Sequence, residues 1–326
     1  MTRKLLATAF IIASLGGTLV CADTGNSGQI SKRDISVHDP STIVKCHDEY
    51  WLFFTGRGIP SCHSKDLVVW EKGPIVFTNA PDWVAAAVPD KQGNGFWAPD
   101  IIYANRQYLL YYSASVFGRN TSAIGVATNP TLDPNDPRYR WVDRGIVVRS
   151  VKGDDFNAID PAVAPDIHGG LWLAFGSFWS GIKLIELDPG TGKRVSPDST
   201  MYSLAQAGSI EAPCIHRHGD HYYLFVNWGL CCRGTNSTYN IRVGRSDAIT
   251  GPYVDKTGTD MRHGGGSLFL ETAGRFIGPG HGGVLSDGVI DWFSCHFYDG
   301  DRGGARTLGI GRLRWDADGW PVLTPD

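Results

Sequence analysis

The chain has 326 residues, 42% of them hydrophobic, and a formal net charge of -3. That is enough apolar material to bury a large core, and the charge leaves no basic footprint for nucleic acid. Eleven Trp and twelve Tyr are a heavy aromatic load, suited to packing between sheets, with a remainder available to stack on a flat apolar ligand face such as a sugar ring.

Residues 1–22 read as a secretory signal. Met1-Thr2-Arg3-Lys4 is positively charged, Leu5 to Val20 is apolar but shorter than a membrane span, and Val20-Cys21-Ala22 offers small residues for cleavage. Secretion to the extracellular space or the periplasm follows, with a mature start near Asp23. Val20 stands where a lipoprotein signal needs a small residue before its cysteine, which disfavours lipidation at Cys21. No later stretch reads as a membrane span.

From there one phrase recurs five times: a polar residue beside Pro or Gly, a turn, then a short aromatic run. The copies are His38-Asp39-Pro40 before Tyr50 to Phe54, Ala98-Pro99-Asp100 before Tyr108 to Tyr112, Ile159-Asp160-Pro161 before Leu171 to Phe175, Glu211-Ala212-Pro213 before Tyr222 to Phe225, and Pro279-Gly280-His281 before Ile290 to Phe293. Intervals of about 61, 60, 51 and 70 residues separate Asp39, Asp100, Asp160, Glu211 and His281, the size range of propeller blades. The aromatic runs are too short for helices and rich in residues that suit pleated, half-buried surfaces. An all-β fold is therefore expected, a single five-bladed β-propeller over residues 23–326, with the first strand of each blade on the axis. That arrangement would bring Asp39, Asp100, Asp160, Glu211 and His281 towards one end of one channel.

Taken in order, blade one runs from about Asp34 to Phe77 and carries Cys46 and Cys62, which could pair in a secreted chain. Gly93 to Asp100 reads as a tight loop presenting Trp97 at the channel mouth, and Phe117-Gly118 as part of a surface loop. Asn120-Thr121-Ser122 and Asn236-Ser237-Thr238 are N-glycosylation acceptor patterns. Gly176 to Gly181 turns at a channel rim. Cys231 and Cys232 are adjacent, and either bridge each other, pair with Cys214 and Cys295, or stay free. The glycines around His281 let the backbone pass close to the axis. His281 itself is either a packed polar residue or a ligand to one metal. The spacing of a zinc site is absent, so a hard cation such as calcium, held mostly by water, is the better candidate.

Three carboxylates near one axis suit glycoside hydrolysis, in which an ionised acid activates water and a protonated one releases the leaving oxygen. No serine elbow, phosphate loop, dinucleotide fingerprint or HExxH pattern competes with that chemistry. Pure sugar binding is the contrasting reading, but it needs no acids at equivalent repeat positions.

With these motifs in order, from His38-Asp39-Pro40-Ser41 through Gly95 to Asp100, Asn157 to Pro161, Gly176 to Gly181, Ile210 to Pro213 and Cys231-Cys232-Arg233-Gly234 to Gly278-Pro279-Gly280-His281, the chain resembles glycoside hydrolase family 43, and within it the endo-1,5-α-L-arabinanases. The resemblance spans Ser36 to Pro321. It implies a five-bladed propeller and an inverting mechanism, with Asp39 as general base, Glu211 as general acid and Asp160 orienting Glu211 and raising its pKa. It also implies His281 facing a central metal, usually calcium, and Asn157, Ser177 and Phe178 lining the sugar site. Trp97, Phe117 and Gly118 extend that lining. The expected partner is the α-1,5-linked arabinan backbone, cut internally by a monomer with no nucleic-acid or membrane partner. Exo-arabinanase, α-L-arabinofuranosidase and β-xylosidase activities on the same fold are the alternatives. Inversion requires Asp39 and Glu211 to stand roughly 6.5–9.5 Å apart.

Overall fold

The aromatic runs form the second strands of five antiparallel sheets, one per repeat, in a computed structural model that describes residues 30–324. The expected signal over residues 1–22 lies outside the described residues. Blade one pairs Val44–Cys46, Glu49–Phe53, Ser61–Ser64 and Glu71–Lys72. Blade two is Gly95–Ala104, Gln107–Ala114, Ser122–Asn129 and Val142–Ser150. Blade three is Ala162–Pro165, Leu171–Phe175, Ile182–Leu187 and Met201–Ala205. Blade four is Ile210–His218, His221–Trp228, Asn240–Ser246 and Ser267–Leu270. Blade five starts with Phe276–Ser286, Asp291–Asp299 and Ala305–Trp315.

The ring is closed by non-covalent pairing. Ser31–Lys32, at the start of the described chain, joins blade five, with Ser31 opposite Ile310 and Lys32 opposite Gly309, and Pro321–Thr324 pairs with the same strand. Strand pairing between the two ends removes a free sheet edge and ties the first blade to the last. Between each pair of neighbouring blades lies one apolar cluster. Phe53, Phe96 and Tyr112 pack between blades one and two, Tyr111 and Phe175 between two and three, Leu184 and Leu224 between three and four, Phe225 and Phe293 between four and five, and Leu52 and Ile310 between five and one.

The innermost backbone repeats a feature that the five copies only half reveal. Asp39, Ala98, Asp160, Ala212 and His281 all adopt a left-handed conformation, with φ of 48°, 42°, 58°, 52° and 57°. Each directly precedes Pro or Gly. A non-glycine residue at positive φ is uncommon and is kept only where its surroundings fix it. Here the five N–H groups are fixed in a circle. Asp39 N donates to His296 Nδ1 (3.1 Å), Ala98 N to Thr55 Oγ1 (2.8 Å), Asp160 N to Ser113 Oγ (3.0 Å), Ala212 N to Asp160 Oδ2 (3.2 Å) and His281 N to Asn227 Oδ1 (2.8 Å). Every acceptor belongs to the preceding blade.

This corrects the phase expected of the repeat. The equivalents of Asp39 and Asp160 are Ala98 and Ala212, so Asp100 lies two residues past the equivalent position and Glu211 one residue before it. Asp100 does not reach the channel end. It is buried and ties blades together, accepting from Thr42 N at 2.9 Å and Val163 N at 2.8 Å. Two further expectations fail for local reasons. Cys46 and Cys62 are both free and face opposite sides of blade one, in the clusters towards blade two and blade five, so a bridge would have to cross the sheet. Asn120 is buried, and its amide donates to Asp154 O at 2.9 Å and Phe156 O at 3.2 Å, which closes it to a glycan.

Candidate active site

Where the left-handed turns converge, a cavity of about 800 Å³ opens. Asp39 from blade one, Asp160 from blade three and Glu211 from blade four all line it, with His281 from blade five. So do Asn157, Ser177, Phe178, Trp97, Phe117 and Gly118, so that of the residues expected at the channel end or in the sugar site only Asp100 lies outside this pocket. Phe117 is 81% exposed at the rim and Trp179, beside Phe178, is 42% exposed. These are free aromatic faces of the kind that stack on sugar rings.

The turn aims Asp39 into the pocket, and two side chains hold its carboxylate. His38 Nδ1 lies 2.8 Å and the donating Thr55 hydroxyl 2.7 Å from Asp39 Oδ2. The far ring nitrogen of His38 meets the Tyr298 hydroxyl at 2.9 Å. Burial by itself would lower His38, but the facing Asp39 carboxylate pushes it up to about 9. Burial would likewise raise Asp39, yet the His38 charge and hydrogen bond hold it far below the usual carboxylate range. Asp39 is thus an ionised acid, able to accept a proton.

Glu211 is held differently. Ser177 Oγ donates to its Oε2 at 2.7 Å, and the Tyr239 hydroxyl donates to Oε1. Glu211 and Asp160 are both buried, and burial is the leading reason both lie above the ordinary carboxylate range, with the Glu211 charge adding to the rise of Asp160 and the Asp39 charge to that of Glu211. Two close buried carboxylates do not both ionise readily, so the pair retains a proton where a lone carboxyl has lost it. Asp160 also accepts the Ala212 N–H next to Glu211, which fixes the backbone carrying the acid. Asn157, also buried, accepts from Ser122 Oγ at 2.7 Å.

His281 is lowered by burial, so its imidazole is neutral. Among the described residues no hydrogen bond reaches its ring, and its Nδ1 lies 3.9 Å from Asp39 Oδ1. A tighter group of metal-ligating atoms, His38, Asp39 and His296, lies within 4.8 Å, but both His38 nitrogens are already engaged. His296 Nδ1 accepts from Asp39 N, which leaves Nε2 carrying the proton, and Nε2 is buried without a partner. The set fits a hydrated cation: one neutral imidazole to ligate, and one buried donor that a water would satisfy.

Thr55, Tyr239, Tyr298 and His296 are the functional partners that sequence reasoning misses. A weak signal exists for Thr55 and His296, because each aromatic run is followed within a few residues by a polar residue facing the axis. Tyr239, just before the strand Asn240–Ser246 of blade four, has no such marker.

The sequence profile described as "Glycosyl hydrolases family 43" matches residues 34–321. The chain is 45% identical over 304 residues to the "Extracellular exo-alpha-(1->5)-L-arabinofuranosidase ArbA" of Cellvibrio japonicus, covering 89% of this chain and 87% of that protein. It is 41% identical over 293 residues to the "Extracellular endo-alpha-(1->5)-L-arabinanase 1" of Bacillus subtilis, covering 87% of each. The solved structure of Cellvibrio cellulosa alpha-L-arabinanase complexed with arabinohexaose superposes with a TM-score of 0.85 at 42% identity, over 89% of this chain and 95% of that one.

Proposed function

The chain belongs to glycosyl hydrolase family 43, and from that premise we propose that it is a secreted, inverting hydrolase of α-1,5-L-arabinofuranosidic bonds in arabinan, cutting within the chain. The observation that carries this reading is the pairing of opposite protonation habits in one pocket: Asp39 held ionised, and Glu211 with Asp160 held above the carboxylate range. Asp39 takes a proton from a water as that water attacks the anomeric carbon. Glu211 gives its proton to the departing glycosidic oxygen on the other face. One C–O bond forms as the other breaks, and solvent then returns the proton from Asp39 to Glu211. Asp160 orients Glu211 through the Ala212 N–H and opposes its ionisation. Trp97, Phe117, Phe178, Asn157 and Ser177 line the path of the sugar chain.

His281 would ligate a cation such as calcium, with water supplying the remaining oxygens that calcium prefers. Such an ion would supply fixed positive charge in the pocket that the carboxylates line. Secretion is supported by the signal pattern of residues 1–22 and by relatives named extracellular. The reading takes the protein as a monomer whose partner is the polysaccharide.

The exo reading keeps its own support, since the Cellvibrio japonicus relative is named for exo action. Product analysis separates the two. Rapid viscosity loss of debranched arabinan with mixed oligomers, and little attack on an aryl arabinofuranoside, is the endo outcome. One short product with slow viscosity loss is the exo outcome. Binding without hydrolysis of either would overturn the enzyme assignment. NMR of the first-formed anomer tests inversion.

A further inference from the structure

The loop after the second strand of blade four holds two groups that glycoside hydrolysis does not use. Cys231 and Cys232 are both free, and both form part of the pocket wall beside the carboxylates. Cys231 is half-buried and Cys232 exposed, so a small molecule entering the pocket meets the pair. His38 is the group that holds Asp39, at 2.8 Å. The backbone is pinned to the same relay, because Cys232 N donates to the Tyr298 hydroxyl at 2.7 Å and that hydroxyl meets His38 at 2.9 Å. Cys232 stands at a φ of 63°, and the base of the loop is closed by Leu230 N to Thr238 Oγ1 at 3.0 Å. Two adjacent, accessible thiols in a pocket wall shared with the His38 imidazole are a setting in which thiolate chemistry is favoured.

We propose that Cys231 and Cys232 form a reversible dithiol–disulfide site in the pocket wall, oxidised by exchange with a small-molecule disulfide, and that closing it slows turnover by displacing the Cys232 N–H from the Tyr298 hydroxyl that orients His38. The Cys232 thiolate attacks the small disulfide, forming one S–S bond and expelling one thiolate. The Cys231 thiolate then attacks the mixed disulfide, forming the protein S–S bond and expelling the second. The two protons lost by the cysteines end on the two released thiols. The protein is oxidised by two electrons and the disulfide is reduced by two. A bridge between neighbours closes a small ring, and strained, exposed bridges are the readily reduced ones. Bonding distance between sulfurs is about 2.05 Å, and drawing the two sulfurs to it shifts the Cys232 backbone that donates to Tyr298 and reshapes the wall facing the sugar.

The test equilibrates the protein in glutathione buffers from fully reduced to fully oxidised. After acid quench and alkylation, the mass of the peptide holding both cysteines is read alongside initial rates on whichever arabinoside the reduced enzyme turns over. The expected result is a peptide lighter by two hydrogens and closed to alkylation. The matching fall in kcat/KM is about fivefold, as loss of one ordinary hydrogen bond predicts. Both changes should share one midpoint and reverse with dithiothreitol. Cys231→Ser, compared with its own reduced state, should show neither change, and Cys232→Ser serves if that variant folds poorly. Two alkylatable thiols at every poise, a reaction that stops at the glutathione adduct, or a bridge that forms with the rate unchanged would each overturn the proposal. The mass is independent of the glycosidase reading, so failure of one is distinguishable from failure of the other.

Discussion

Replacing Tyr239 by Phe removes a single hydroxyl from the pocket. Tyr239 is 4% exposed and Glu211 8%, and that hydroxyl donates to Glu211 Oε1. The bond favours the ionised carboxylate and so holds the Glu211 pKa down against burial. A hydrogen bond to a charged group is worth roughly 1.5–3 kcal/mol, and one pKa unit corresponds to about 1.36 kcal/mol, so losing it should raise Glu211 by about one to two units. A general acid must be protonated to act, and activity falls as pH rises through its pKa. The basic limb of kcat/KM against pH should therefore move up by at least about one unit. The limb belongs to the Asp160–Glu211 pair jointly, and loss of the donor raises both apparent steps of that pair. The ring stays in place, because it packs directly over the backbone of Gly280, where an added Cβ would lie 2.4 Å from Tyr239 Cδ2. The assay is a pH profile on a linear arabino-oligosaccharide for both proteins. A basic limb that stays put or moves down would refute the role of Glu211 as the acid and of Tyr239 as its brake.

Asp39→Asn and Glu211→Gln should each lower kcat by about 10²–10⁴-fold with the circular dichroism spectrum retained, as loss of a positioned base or acid predicts; near-wild-type turnover would remove that residue's role. Gly280→Ala should displace Tyr239 and cost about 1–3 kcal/mol by overpacking, seen as a lower denaturation midpoint together with an upward shift of the basic limb. Asp100 is pushed up to about 6, chiefly by burial, above the unfolded value of about 3.9. The native state therefore keeps a proton that the unfolded chain has lost, and this group's contribution falls as pH rises from about 4 to about 6, by on the order of 3 kcal/mol. Denaturation of wild type and Asp100→Asn at pH values either side of that window should show this loss in the wild type alone, and parallel curves would refute it. Adding calcium to chelator-treated protein should raise Tm, and His281→Ala should abolish the rise; an equal rise in both would place the ion elsewhere.

Much of this protein is legible in its sequence because its governing patterns are local. An aromatic run of blade length, bounded by turns and returning at similar intervals, specifies a strand that is buried on both sides. Five such runs specify five sheets, and Asp39, Asp160, Glu211 and His281 stand out because each sits within two residues of the Pro or Gly that opens a copy. The phase of the repeat is less legible. Asp100 and Ala98 flank the same proline, and only the left-handed turn at Ala98 shows which of them points into the channel. Once the turn assigns that place to Ala98, the carboxylate two residues on becomes a tie between blades.

What the tertiary structure alone decides are contacts between residues far apart in the chain. Ser31–Lys32 closes a sheet made by the last blade, and His38 is oriented by Tyr298 across 260 positions. Thr55 reaches Ala98 and His296 reaches Asp39 across blade boundaries, and Tyr239 reaches Glu211 within blade four, contacts that no local period encodes. The type of each strand is set by which residues alternate along it, and that information is written within a few residues. The protonation of Asp39 and Glu211 is set by which charges and hydroxyls stand within hydrogen-bond distance, and apart from the adjacent His38 the fold brings those neighbours from a distance along the chain: Thr55 from 16 positions away, Tyr239 from 28 and Ser177 of blade three from 34.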